Sequence, residues 1–352
     1  MWMAMKAKLS LANLPTRIQH LSRWSADCGK NIYVKRDDQT GSEWSGNKIR
    51  KLEFAVAEAV AQGCNLLITC GGIQSNHCRA TVSVATYLGM RSAVLLRISE
   101  EPPLDGNYFL DRLMGADVRF CTRDEYRDHR AEIMQEMADG YAAQGFKPYI
   151  IPEGASFGVG TLGYYFAMKE IVAQEREMGI TFDTVVVAPG SGGTLAGLQL
   201  ANLLNGYGKR VIGVCVCDDA AYFQEIAVRI SRDALPYLVA QGELSQDRAD
   251  RFAASLKPTD FELFEEYVGI GYALSRPEEL EHIHRLARLE ATVFDPVYTG
   301  KATYGMVNEL RPGGRLRSSE NILFIHTGGL YGLFPVSRSF SLDGPSSKTC
   351  LK

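Results

Sequence analysis

The sequence predicts an α/β chain built on two open, twisted parallel sheets with helices on both faces. Three observations predict it. Short apolar strands alternate with amphipathic helices along most of the 352 residues, the alternation falls into two series, and glycine-rich turns occupy the strand-to-helix junctions. No fixed-period repeat appears, which excludes a solenoid. The two series place a smaller α/β domain at 50–158. Residues 1–49 and 159–336 go to a larger domain, and 337–352, with Gly344-Pro345-Ser346-Ser347, read as a frayed tail.

Taken in order, the first 30 residues read as an irregular arm with a helical piece over Arg17–Cys28, and Asn31–Val34 as a short strand. A loop of small residues, Gly41 to Gly46, ends at Asn47. Helical spacing of Ile49, Leu52, Val56 and Ala59 then runs from Lys48 to a stop at Gly63. Asn65–Cys70, Ser92–Ile98, Asp117–Thr122 and Pro148–Ile151 are strands, separated by helices over Cys78–Leu88, Tyr108–Met114 and Asp124–Gln144. The second series has helices at Thr161–Glu177 and Thr194–Leu204 and strands at Thr184–Ala188, Val211–Val216 and Asn321–His326. Helical stretches over 220–256, Arg276–Glu290 and Lys301–Leu310 complete it.

Hydrophobic residues at 46% and charged residues at 22% are ordinary for a soluble globular protein. A net charge of −3 gives no footprint for nucleic acid or an anionic membrane. No apolar run approaches the ~20 residues of a membrane span. The segment Met1–Lys6 lacks the apolar core of a secretory signal, and eight cysteines scattered through apolar segments suit a reduced, cytoplasmic protein. Cys215-Val216-Cys217 would put two thiols on one face of a strand, as buried structural thiols rather than a metal pair. His282 and His284 diverge on a helix and are rejected as metal ligands. No metal is expected.

In parallel α/β sheets ligands bind beyond the carboxyl ends of the strands, where every notable motif here falls. Lys48 opens a helix, with Asn47 as N-cap. A cation is disfavoured at that end by roughly 0.3–1 kcal/mol, and Lys51 one turn on adds like-charge repulsion. Both effects favour the neutral amine that carbonyl chemistry needs, the alternative being an ordinary solvated lysine. Gly190-Ser191-Gly192-Gly193-Thr194 joins a strand to a helix and makes a cup for one phosphate monoester, without the spacing of a P-loop or a dinucleotide site. Gly71-Gly72-Ile73-Gln74-Ser75-Asn76-His77 is a second such loop. Its amides and Ser75 could hold a carboxylate, Asn76 could reach a phenolate oxygen, and His77 reads as an orienting or partly buried histidine before a general base. Tyr298 could stack on a flat ring and Thr299 could offer a hydroxyl to a ring nitrogen, a packing tyrosine in a Pro-Gly loop being the alternative. His326-Thr327-Gly328-Gly329 is a further strand-end turn. An aldehyde, one phosphate, a phenolate oxygen and a pyridine nitrogen together describe pyridoxal 5′-phosphate, whose amino-acid substrates carry a carboxylate.

Four stretches also carry a family resemblance: Ser45–Phe54 (SGNKIRKLEF), Gly71–Thr81 (GGIQSNHCRAT), Gly190–Thr194 (GSGGT) and Asp295–Lys301 (DPVYTGK). In order and spacing, over roughly residues 10–335, the chain resembles the D-cysteine desulfhydrase and 1-aminocyclopropane-1-carboxylate deaminase family. The resemblance implies a fold-type II, tryptophan synthase β-like enzyme, a homodimer of two-domain subunits. Lys48 matches the family's Schiff-base lysine, Ser75 and Asn76 its substrate-carboxylate and cofactor contacts, and 190–194 its phosphate cup. Tyr298 matches the ring-stacking tyrosine and Tyr272 a second active-site tyrosine. Gln74 and His77 fall in the substrate loop. Where the deaminases carry glutamate and leucine, this chain has Thr299 and Thr327, as the desulfhydrases carry small hydroxyl residues. A carboxylate at the pyridine nitrogen makes the strong electron sink that opening a cyclopropane needs, and expelling a good leaving group from Cβ needs less. Ser45 departs from the glycine of many relatives but matches the plant-type desulfhydrases, and Glu43-Trp44 has no familiar counterpart.

The resulting expectation is α,β-elimination, D-cysteine and water giving pyruvate, hydrogen sulfide and ammonia. Lys48 acts as general base, with Tyr272 or Tyr298 assisting the leaving group. A cysteate sulfo-lyase is the alternative, then a 1-aminocyclopropane-1-carboxylate deaminase. From another class, a non-catalytic binder of pyridoxal phosphate or another phosphorylated metabolite would keep the cup and need no lysine. The expected partner is a small amino-acid substrate, with no nucleic acid and no membrane.

Overall fold

The computed structural model describes residues 8–342. Expectations for Met1–Lys6 and for the end of the tail lie outside them. In chain order the elements are β1 (Ile18–His20), α1 (Ser22–Cys28), β2 (Asn31–Lys35), α2 (Lys48–Ala61), β3 (Leu66–Gly72), α3 (Asn76–Tyr87) and β4 (Arg91–Arg97). Then come α4 (Gly106–Leu113), β5 (Asp117–Cys121), α5 (Arg123–Ala142), β6 (Pro148–Ile150), α6 (Gly158–Met178), β7 (Thr184–Val187) and α7 (Gly193–Asn205). The chain closes with β8 (Arg210–Val214), α8 (Ala220–Ala240), α9 (Gln246–Ser255), β9 (Glu262–Phe264), α10 (Pro277–Glu290), α11 (Thr299–Leu310) and β10 (Asn321–Ile325).

Two sheets form, ordered β1-β2-β10-β7-β8-β9 and β5-β4-β3-β6. Every pairing is parallel except that of β1 with β2. The two-residue period of the strands explains why both faces of the larger sheet are covered. Val185, Val187, Leu323 and Ile325 pack into one cluster with α6, α7 and α8, while Val186, Ile322 and Phe324 pack into another with Trp24, Phe294 and Met306. The smaller sheet divides likewise. Leu66, Ile68 and Cys70 face α5, and Leu67 faces the other way, toward α2 and α3.

Helix α2 belongs to both cores. Its Ile49, Leu52 and Val56 join Leu67, Ala80 and Ile151 of the smaller sheet's cluster, whereas Phe54 and Ala55 join Leu162 and Val185 of the larger. All strands of the smaller sheet lie between residues 66 and 150. On that membership we propose 50–158 as the smaller domain, with α2 as the shared element.

Strand order reverses beside β3 in one sheet and beside β7 in the other, so each sheet has a switch point at the carboxyl end of a central strand. Such crevices are where ligands bind in open α/β sheets. The loop Ile73–Ser75 leaves β3, and Ala188–Gly192 leaves β7.

Some local expectations change. Arg17–Cys28 is a three-residue edge strand followed by a helix, not one helical piece. Thr292–Phe294, just before the tyrosine loop, forms no strand, and Phe294 packs between Trp24 and His326 at ring-centroid distances of 6.1 and 4.7 Å. Cys215 and Cys217 lie beyond the end of β8. The predicted tail begins inside a 3-10 segment, Leu330–Ser339, and residues 343–352 are outside the described part.

Candidate active site

One cavity between the sheets is lined by Asn47, Lys48, Ser75, Asn76, His77 and Glu153, by the turn Ala188–Gly192 with Thr194, and by Tyr272, Tyr298, Thr327 and Gly328. Residues far apart in the chain therefore meet at the two switch points.

Lys48 is the first residue of α2. Burial holds its ammonium down to about 8, against the opposing pull of Glu153 and Asp295. Desolvation, not Lys51, is what favours the neutral amine. Its Nζ donates to Asn47 Oδ1 at 3.1 Å. Asn47 caps nothing: its backbone is already helical, and its Nδ2 donates to Thr194 Oγ1 at 2.9 Å. That bond ties the lysine loop to the first turn of α7.

Lys51 is turned the other way, with Nζ donating to the Gly154 carbonyl and to Ser156 Oγ, both at 3.1 Å. Ser156 Oγ also lies 2.7 Å from Ser191 Oγ and accepts the Gly193 amide at 3.1 Å. The glycine turn thus gains a buried amine and a third hydroxyl from outside its own sequence. A methyl group at Gly193 would come within 2.6 Å of Ser156 Oγ and 2.8 Å of Lys51 Nζ, so the approach requires glycine. Burial and Lys48 both push the Lys51 ammonium well below the usual lysine range, and no described carboxylate offsets them. An amine in that condition, at the N-terminus of α7, suits a phosphate dianion.

Ser75 is the N-cap of α3, where its Oγ accepts the Cys78 amide at 3.2 Å and keeps its own O–H to donate. Asn76 Oδ1 accepts from Asn107 Nδ2 at 3.1 Å. Gln74 does not line the cavity. Its side chain bonds the Asn107 amide and the Asp105 carbonyl, so it supports the loop from behind. His77 Nε2 is paired with Thr69 Oγ1 at 2.8 Å, and burial pushes its ring well below the usual histidine range. It is neutral, as an orienting histidine would be.

The tyrosines face each other with their hydroxyls 2.7 Å apart. Burial pushes Tyr272 up to about 12 and Tyr298 well above the usual tyrosine range, and the bond between them together with the Arg97 charge restrains Tyr272. Tyr298 lies against the turn, where a Cβ on Gly190 would meet its Cε1 at 2.7 Å. Asp295 fixes the tyrosine loop, with carboxylate oxygens accepting the amides of Val297, Tyr298 and Thr299 and the Thr299 hydroxyl at 2.7–2.9 Å. Thr299 is fully buried, engaged with Asp295 and absent from the cavity wall, whereas Thr327 lines it.

The site contains residues the sequence reasoning did not single out: Lys51 at the cup, Glu153 and Ser156, Asn107, and Asp295. Glu153 and Ser156 follow the carboxyl end of β6, so the strand-end rule applied to that loop would have found them. An aspartate followed by proline, bonding backbone amides two to four residues on, is an Asx-type turn.

The family profile described as "Pyridoxal-phosphate dependent enzyme" matches residues 9–328. The chain is 41% identical, over 96% of its own length and 82% of the other's, to the bifunctional D-cysteine desulfhydrase/1-aminocyclopropane-1-carboxylate deaminase, mitochondrial, of Arabidopsis thaliana. A crystal structure of an ACC deaminase homologue superposes with a TM-score of 0.83 at 35% identity, covering 95% of each chain. A threonine deaminase from T.th., at 22% identity and a TM-score of 0.61 over 89% of this chain and 92% of that one, shares the fold.

Proposed function

The chain belongs to the pyridoxal-phosphate dependent enzyme family, and from that premise we propose that it catalyses α,β-elimination on a β-thiol amino acid, converting D-cysteine and water to pyruvate, hydrogen sulfide and ammonia. It is a fold-type II enzyme and uses pyridoxal phosphate as its cofactor. The residues present fit that group. The glycine cradle with Lys51 and Ser156 suits its phosphate, Tyr298 and Asn76 suit its ring, and Lys48, its ammonium held down to about 8 by burial, suits its aldehyde.

When bound, the cofactor supplies an electron-withdrawing ring that makes the substrate's α-proton acidic. The amides of Ser191–Thr194, the N-terminus of α7 and the Lys51 Nζ would hold the phosphate. Lys48 would hold the cofactor at its aldehyde, and its Nζ, when free, would be the base placed to take the substrate's α-proton. The Ser75 hydroxyl and the first amides of α3 hold the substrate carboxylate. The hydroxyl pair of Tyr272 and Tyr298 can pass a proton to the departing sulfur.

One observation favours elimination over cyclopropane opening. Position 299 is a threonine whose hydroxyl is spent on Asp295, and the Asp295 carboxylate is filled by three amides and that hydroxyl. Neither supplies a free carboxylate to a ring nitrogen. The Arabidopsis relative is named for both activities, so the assay must separate them. We place the enzyme in the cytoplasm as a homodimer. No helix among the described residues is long and apolar enough to cross a membrane.

The purified enzyme should form pyruvate from D-cysteine, with sulfide as co-product, faster than it forms pyruvate from L-cysteine, cysteate or D-serine. It should also outpace 2-oxobutyrate formation from 1-aminocyclopropane-1-carboxylate. A preference for the cyclopropane substrate would overturn the assignment.

A further inference from the structure

A second cleft adjoins the reaction cavity and shares Glu153, Gly190, Ser191 and Tyr272 with it. Its lining includes Arg97, Arg130 and Arg229, over a floor with Tyr126, Met134 and Ile226. Resting on the elimination reading above, we propose that this cleft is a subsite for the substrate's β-substituent, accepting an apolar arm that ends in an anion, with Arg97 as the specificity-determining cation. The substrate class is then the cysteine S-conjugates with an acid terminus.

Arg97 ends β4, and its guanidinium lies over the rings of Tyr126 and Tyr272, 5.0 and 5.3 Å from their centroids. Among the described residues it makes no ion pair and no side-chain hydrogen bond. Stacking fixes the plane of the guanidinium while leaving its donors free, which is how arginine recognises a carboxylate or sulfonate. Tyr272 is the wall between the two spaces, with its hydroxyl toward Tyr298 and its ring under Arg97.

The charges of the cleft favour an anion. A fourth arginine, Arg127, is already paired with Asp124 and Asp128 at 2.9 and 2.7 Å. Arg130 spends one nitrogen on the carbonyls of Tyr126 and Arg127, and Arg229 has no described partner. Two uncommitted guanidiniums, Arg97 and Arg229, and the partly committed Arg130 therefore face two carboxylates, Glu153 and Asp218. A bare thiol needs neither an apolar floor nor a fixed guanidinium beyond the tyrosine wall, whereas a thioether arm with a terminal acid uses both.

The chemistry is that of the parent reaction. The Cβ–S bond breaks, sulfur leaves with the electron pair and gains a proton as the free thiol, the water oxygen becomes the keto oxygen of pyruvate, and nitrogen leaves as ammonium. No oxidant or reductant is needed.

The test compares S-(2-carboxyethyl)cysteine with S-propylcysteine on the holoenzyme, reading kcat and KM by pyruvate formation, beside D-cysteine. The carboxylate should be preferred by about tenfold or more in kcat/KM, mainly through KM. Arg97→Gln should bring that ratio close to one, and Arg229→Gln, which touches neither tyrosine, should lower it partway. A readout free of turnover is calorimetric binding of 3,3′-thiodipropionate to borohydride-reduced protein, expected to weaken about tenfold in Arg97→Gln. D-cysteine turnover without a preference for the acid, or an equal fall of both conjugates in Arg97→Gln, would overturn the subsite alone. Arg97-dependent binding without pyruvate from any substrate would support the subsite and overturn the elimination reading.

Discussion

Replacing Lys51 with methionine tests whether the cup at residues 190–194 is a phosphate site. The side chain is 1% exposed, and its Nζ sits beside Gly193 and Ser156. Methionine keeps nearly the same volume and removes the charge. A hydrogen bond to a charged group contributes about 1.5–3 kcal/mol, and each 1.4 kcal/mol is about tenfold in affinity. The dissociation constant for pyridoxal phosphate should therefore rise about 10- to 150-fold. The unloaded fold should be nearly indifferent. The Gly154 carbonyl keeps Ser156 Oγ as a donor at 3.4 Å, and Ser156 keeps Ser191 and the Gly193 amide. Its Tm should shift by less than about 2 °C, roughly 1 kcal/mol in a chain of this size. The assay is titration of cofactor-stripped protein with pyridoxal phosphate by visible absorbance, with thermal melts of the unloaded form. An affinity within twofold of wild type would refute the phosphate assignment.

Further outcomes follow from other contacts. Lys48→Ala should abolish both the borohydride-sensitive visible band and turnover, and pyruvate formation at the wild-type rate would exclude Lys48 as the acting amine. In unloaded protein the neutral fraction of Lys48 grows as pH rises through about 8, so amine-selective labelling, followed by peptide mass spectrometry, should be half-maximal there. A midpoint near the ordinary 10.5 would contradict its burial. Asp295→Ala strips the acceptor from three amides and a buried hydroxyl, and should lower stability by about 3 kcal/mol or more together with kcat, read by melts and kinetics. Gly190→Ala drives a methyl into Tyr298 Cε1, 2.7 Å away, and should cut kcat about tenfold with an unchanged far-UV spectrum.

Much of the architecture was legible because it rests on periodicity. Apolar runs such as Thr184–Val187 and Asn321–Ile325 are buried on both faces and read as strands from composition alone. The three-residue edge strands β1 and β9 were missed, since so short a segment carries no period of its own. The site was legible where backbone amides do the work, as at Gly190–Thr194. It was not legible where a side chain arrives from elsewhere. Lys51 looked like a neighbour repelling Lys48, yet α2 turns the two amines toward different partners, Asn47 and Ser156. Asn47 had the residue type of a cap, but tertiary contact with Thr194 outweighed the local preference. Thr299 had the right chemistry for a ring nitrogen, and its neighbour Asp295 took its hydroxyl.

Because α2 is wedged into both cores, any rocking of one sheet against the other would use it as an axle. A rocking motion that keeps Leu52 seated on one side and Phe54 on the other must turn about this rod. Atoms near an axle travel least. Lys48 and Lys51 ride on it, so the spacing between these two amines would change little while parts farther from the rod would swing through a wider arc. Such a molecule could admit and discharge molecules of different girth at its rim without disturbing the grip at its hub.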